Sequence, residues 1–155
     1  MKRILLTITL VAWAAAFAGC CSCHDTANDR QFPKTEINYS SGGGVTGMSS
    51  GYSILSDGAI VRWNGRAGQH EQSVGVGKID PAKFHALLLE MYDMDPVSIH
   101  QQETGNMTTS LGIVSDDVVY TYTWPGVYGD DDAVPTIVRP LRDLVWKHIQ
   151  DALAD

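Results

Sequence analysis

The stretch YSILSDGAIVRW, residues 52–63, joins two apolar runs through Ser56-Asp57-Gly58. An Asp-Gly step between alternating apolar residues is a strong β-hairpin signal, because the turn needs a positive φ that glycine supplies at no steric cost. A second pair follows the same design in MTTSLGIVSDDVVYTYTW, residues 107–124. Leu111 and Ile113 alternate on one arm, Val118, Tyr120 and Tyr122 on the other, and Ser115 to Asp117 turn between them. Two hairpins of this kind commit the chain to an antiparallel sheet with one face to be covered.

Two segments can cover it. Asp80-Pro81 opens the first: Asp caps exposed N–H groups and Pro suits the first helical position. Phe84, Leu87, Leu88 and Met91 then recur at helical spacing, and the helix should end near Met94, before Asp95-Pro96. The second helix should begin around Pro135, with Ile137, Leu141, Leu144, Val145 and Ile149 on its buried stripe. Pro140 is tolerated only in its first turn or as a kink. Upstream, TEINYSSGGG opens with a short strand placing Ile37 and Tyr39 on one face, and GGGVTGMSSG carries five glycines in ten positions. SVGVGKI reads as an edge strand weakened by glycine. The expectation is an α+β fold: an antiparallel sheet of about four to five strands in two hairpins, with both helices on one face.

The N-terminus is of another kind. Lys2 and Arg3 precede an apolar core from Ile4 to Phe17, which is shorter than the roughly 20 residues of a bilayer span. This is the layout of a secretory signal. Its end, Ala18-Gly19-Cys20, resembles the lipobox of bacterial lipoproteins. The resemblance implies cleavage before Cys20, acylation of that cysteine and attachment to a lipid bilayer. Cys21 in the next position, where an Asp would signal retention, implies the outer membrane. Cleavage near Ala16 or Ala18 instead gives a soluble secreted protein. Residues 1–19 are thus expected to be a lipoprotein signal peptide, 20–34 a polar tether, and 35–155 a single domain, long enough for its own core.

All three cysteines lie at 20, 21 and 23, so no disulfide staples the domain. CCSCH could offer two thiolates and His24 to a soft metal, but two tether thiols that oxidise or pair with other molecules are the simpler reading. Loss of residues 1–19 would remove Lys2 and Arg3 and no acid, taking the formal net charge from -7 to -9. That balance excludes nucleic acid, whose phosphates require cations. It also leaves acyl chains rather than surface charge to hold the membrane.

No catalytic set stands out. His24, His70, His85, His100 and His148 form no H-E-x-x-H, no G-x-S-x-G is present, and GGGVTG lacks the Lys-Ser/Thr of a phosphate loop. Asp130, Asp131 and Asp132 could approach calcium, but three adjacent carboxylates cannot all reach one ion unaided. They read as a solvated loop capping the last helix. Neither a metal nor a cofactor is expected. Two features suit a partner: the glycine loop at Gly43, Gly44 and Gly47, which can present backbone, and Trp124, which as an exposed residue before Pro125-Gly126 would be an anchor.

The order of elements resembles the emfourin family, small bacterial proteins associated with inhibition of thermolysin-like metalloproteases. The matching segments are Gly43, Gly44 and Gly47 in GGGVTG, the helix DPAKFHALLLEM, the strand VVYTYTW and the closing VPTIVRPLRDLV, together spanning about residues 35 to 150. The resemblance implies the α+β fold and a protease as protein partner. The resulting expectation is a non-enzymatic envelope lipoprotein that binds a protein. The alternative is an envelope structural lipoprotein without a specific ligand.

Overall fold

A computed structural model describes residues 34–66, 71–116 and 118–154. The signal segment, Cys20 and its neighbouring thiols, His24, His70 and residues 20–33 of the expected tether lie outside the described residues. From residue 34 onward the described chain belongs to one compact unit.

Six strands form one sheet: β1 (Glu36–Gly43), β2 (Met48–Ile54), β3 (Ala59–Arg66), β4 (Gln72–Lys78), β5 (Met107–Val114) and β6 (Val119–Pro125). Their spatial order is β4-β3-β2-β1-β5-β6, and every pairing is antiparallel. The architecture is α+β as expected, with six strands where four to five were anticipated. The TEINYSSGGG and SVGVGKI segments both form full strands, β1 and β4, besides the two hairpins. Gly43, Gly44 and Gly47 have φ of 121°, 69° and 61°, a region that disfavours side chains. They close a tight turn, so β1 and β2 pair directly and the first four strands form a continuous meander.

The Asp57-Gly58 turn forms as the sequence predicts. Gly58 has φ 82°, its N–H donates to the Leu55 carbonyl at 2.8 Å, and its own carbonyl accepts from the Ile79 N–H at 2.9 Å. Helix α1 (Pro81–Asp93) starts where expected: Asp80 Oδ1 accepts the Ala82 N–H at 2.8 Å and Pro81 takes the first position. Phe84, Leu87, Leu88 and Met91 are all buried. Asp95 adopts a left-handed φ of 51° before a short 3-10 turn, Pro96–Ser98.

Helix α2 (Arg139–Ala154) begins later than Pro135. Residues 135–138 form turns in which the Pro135 carbonyl accepts from the N–H groups of Val138 and Arg139. Pro140 therefore falls in the first turn, where its missing N–H costs nothing. The displaced start exchanges the stripe's first member: Val138 is buried and Ile137 is 53% exposed.

The buried side chains of α1 and α2 share one core with a single face of the sheet. Its heart is a row of isoleucines in register across four strands, Ile60, Ile54, Ile37 and Ile113, each virtually inaccessible to solvent. Truncating one such residue to Ala costs about 2–5 kcal/mol. Tyr122 lies one row along, with its hydroxyl donating to the Pro96 carbonyl at 2.7 Å. Burial pushes this phenol up to about 12, with smaller contributions from Tyr120 and Asp95.

A phenol raised above its unfolded value contributes stability that is complete below about pH 10 and is lost as pH rises toward 12. Chemical denaturation should therefore show stability falling across that window. Tyr122→Phe should flatten the fall while lowering stability at neutral pH by about 1 kcal/mol through the lost hydrogen bond. An unchanged alkaline profile in the variant would assign the effect elsewhere.

Candidate functional site

The helix-covered face of the sheet is graded row by row. Beyond the isoleucines comes Val74, Arg62, Tyr52, Tyr39, Leu111 and Tyr122, then Gln72, Asn64, Ser50, Ser41, Thr109 and Trp124. In this second row every strand contributes one residue, and the first four are uncharged and polar. Met48 and Met107 follow, each opposite Gly43. The sheet face thus turns from apolar to hydrogen-bonding side chains within two residues along β4, β2, β1 and β5.

An aromatic cluster stands at this boundary. Tyr39 lies 6.4 Å from Trp124 in a stacked arrangement, and 6.0 Å from Tyr128 and 5.7 Å from Trp146 edge-on. Tyr52 contacts Tyr128 and Trp146 at 6.2 and 5.9 Å. These separations are those at which aromatic pairs attract beyond simple area burial. Burial raises the Tyr39 phenol above its usual value, against the opposing pull of the Arg142 guanidinium and a hydrogen bond with the Gly129 backbone.

Arg142 is itself 4% exposed. Its Nη1 donates to Asp131 Oδ1 at 2.7 Å, and its Nε lies 3.1 Å from Asp143 Oδ1 without hydrogen-bond alignment. This pair ties the loop between β6 and α2 back over the sheet. Thr109, fully buried, adds a hydrogen bond from its Oγ1 to the Gly126 carbonyl at 2.9 Å. Arg139 Nη2 donates to the Val134 carbonyl at 2.9 Å. The tethered loop places Val127 and Tyr128 beside the polar row.

Between that loop and the sheet lies an open groove of about 590 Å3, lined by Ser41, Met48, Ser49, Ser50, Asn64, Glu71, Gln72, Met107, Val127 and Tyr128. A smaller depression of about 330 Å3 continues it across β3 and β4, sharing Ser50, Asn64 and Gln72 and adding Arg62, Val74 and Val76. The larger volume falls in the range of small-ligand sites. Ser41, at its floor, is 6% exposed, and its hydroxyl has no hydrogen-bond partner.

The residues singled out from sequence fare differently. Gly43, Gly44 and Gly47 form the β1–β2 hairpin end beside the groove, a tight turn in place of a long presenting loop. Val45 between them is fully exposed. Trp124 requires correction: it is fully buried against Tyr39, so it is no exposed anchor. It alternates in phase with Tyr122 on β6, which directs it inward. Asp131 engages Arg142, all three carboxylates remain exposed, and helix α2 begins eight residues further on. Among the described residues no group of three or more His, Cys, Asp or Glu is placed to hold a metal. His148 is partly buried, which lowers its imidazole from the usual value despite the nearby Asp151.

Sequence reasoning missed Ser41 and Arg142, and both carried a signal. Ser41 follows Ile37 and Tyr39 at strand alternation, so it is a polar residue in phase with the core. Arg142 lies four positions after Val138 and three before Val145, on the apolar face of α2.

No protein-family model matches the chain, and no curated protein matches it.

An unmatched buried hydroxyl destabilises a fold, and its removal is nearly neutral or favourable. Ser41→Ala should therefore keep or raise the unfolding free energy, by up to about 1 kcal/mol. Urea denaturation checks this, and a clear loss of stability would show that the hydroxyl supports the fold.

Proposed function

We propose that the chain is a lipid-anchored, non-catalytic binding module of the bacterial envelope, probing a protein partner with its β1–β2 hairpin. The supporting observation is the exposed apolar surface of the hairpin and of the loop that faces it across the groove. Val45 projects from the hairpin fully exposed, Val127 is 47% exposed and Met48 40%. Met48 and Val127 line the groove and Val45 stands on the turn beside it, and exposed apolar side chains that are not scattered singly suit an interaction site. The hairpin that carries Val45 is fixed in register by its pairing to β2, so it can meet a partner with little loss of conformational freedom.

The groove chemistry favours binding over catalysis. Its described lining is neutral apart from Glu71, and one carboxylate without a hydrogen-bonded hydroxyl or imidazole is not an acid–base pair. The resemblance to emfourins supplies the sharper version, inhibition of a thermolysin-like metalloprotease with the hairpin at Gly43, Gly44 and Gly47 as the contact. The lipobox at Cys20 supplies the anchor and the placement, with the outer membrane as destination.

One experiment addresses each half. The protein mixed with a thermolysin-like enzyme should reduce peptide cleavage stoichiometrically, and Val45→Asp should weaken that inhibition about tenfold or more, or ~1.4 kcal/mol. Undiminished cleavage by the parent protein removes the inhibitory reading. In cells, Cys20→Ala should abolish palmitate incorporation and either stall processing or release the domain to the soluble fraction. A variant that labels and fractionates as the parent does removes the anchor.

A further inference from the structure

We infer that the groove beside the hairpin binds a short uncharged saccharide, through a row of side chains that spans four strands. Gln72, Asn64, Ser50 and Ser41 come one each from β4, β3, β2 and β1 in direct register. Strands lie about 4.8 Å apart, so the row extends over about 14 Å, the reach of two to three sugar rings. Each of these groups both donates and accepts hydrogen bonds, which is what a sugar hydroxyl requires of its partner.

The Ser41 hydroxyl is the independent observation. It is more than nine-tenths buried, lines the groove and has no hydrogen-bond partner among the described residues. Its oxygen is sealed from solvent, so a turn about the Cα–Cβ bond must bring it to a ligand hydroxyl, which would then satisfy it. The surrounding chemistry narrows the ligand further. The backbones of β1, β2 and β3 are paired on both sides within the sheet, so an extended peptide cannot be held there by strand addition, and side chains must do the recognising. Glu71 lines the groove and Arg62 the depression that continues it, while the row itself is uncharged, which suits a neutral ligand better than phosphate or carboxylate. Tyr128 and Met107 give the opposite wall apolar surface for the C–H face of a sugar ring.

This goes beyond protein docking by the hairpin and is separable from it, because Val45 does not line the groove. Calorimetric titration of the full chain, in a detergent without a sugar headgroup, with cellobiose and N,N′-diacetylchitobiose tests it. Saturable binding of at least one probe is expected. Asn64→Ala and Ser50→Ala, both at solvent-accessible positions, should each weaken it about tenfold or more, and Val45→Asp should leave it unchanged. Ser41→Ala should weaken it equally while the variant remains as stable as the parent. Absence of saturable binding of either sugar at millimolar concentration overturns the inference, as does binding that Asn64→Ala and Ser50→Ala leave intact. So does saturable binding of an uncharged Gln- and Ser-containing peptide in place of both sugars.

Discussion

A guanidinium nine-tenths buried among aromatic rings demands an anionic partner, because an unpaired buried charge is among the costliest defects a fold can carry. Arg142 is that group, and Asp131 answers it from the loop before α2. The loop between β6 and α2 is also held by the Gly126 N–H on the Met107 carbonyl and by the Tyr39 hydrogen bond with the Gly129 backbone. Val134 and Val138 bury their side chains, and Thr109 and Arg139 hold one carbonyl each. The ion pair adds the charged tie at Asp131. With it in place, Tyr128 closes on Tyr39, Tyr52 and Trp146, and the loop becomes a wall. Without a wall, the polar row of the sheet would be an open surface.

The groove follows from an economy in the fold. Two helices cover the isoleucine row and most of the aromatic row of a six-stranded sheet, but not the strand ends beside the hairpin. Where coverage ends, the sequence changes from Ile and Tyr to Ser, Asn and Gln on the same face. A purely structural surface would leave these positions free to vary in burial. Instead Ser41 is enclosed with its hydroxyl unmatched among the described residues, at a cost to stability that the proposed binding role would account for. Rigidity favours the same role, since the floor belongs to paired strands and the wall is pinned by an ion pair, so little ordering remains for a ligand to impose.

Much of this architecture was legible in the sequence where local chemistry decides structure. Asp57-Gly58 dictated its turn, Asp80-Pro81 its helix start, and the spacing of Phe84, Leu87, Leu88 and Met91 its buried face. What escaped depends on neighbours distant along the chain. The glycines at 43, 44 and 47 do not by themselves distinguish a mobile loop from a tight turn, a choice made by the pairing of β1 with β2. Trp124 seemed available because it precedes Pro125 and Gly126, yet its phase with Tyr122 placed it against Tyr39. The start of α2 turned on Pro140, compatible with either a first-turn position or a kink. The candidate site was the least legible, because polar residues at inward positions resemble ordinary strand-end sequence until all six strands are set side by side.

The dependence of the groove wall on one ion pair is open to direct measurement. A double-mutant cycle with Arg142→Met, Asp131→Ala and the double variant, followed by urea denaturation, isolates the interaction between the two side chains. Coupling of about 1 kcal/mol or more is expected, above the value typical of exposed pairs. Additivity within about 0.3 kcal/mol would mean that the loop is held by other contacts, and would contradict the account.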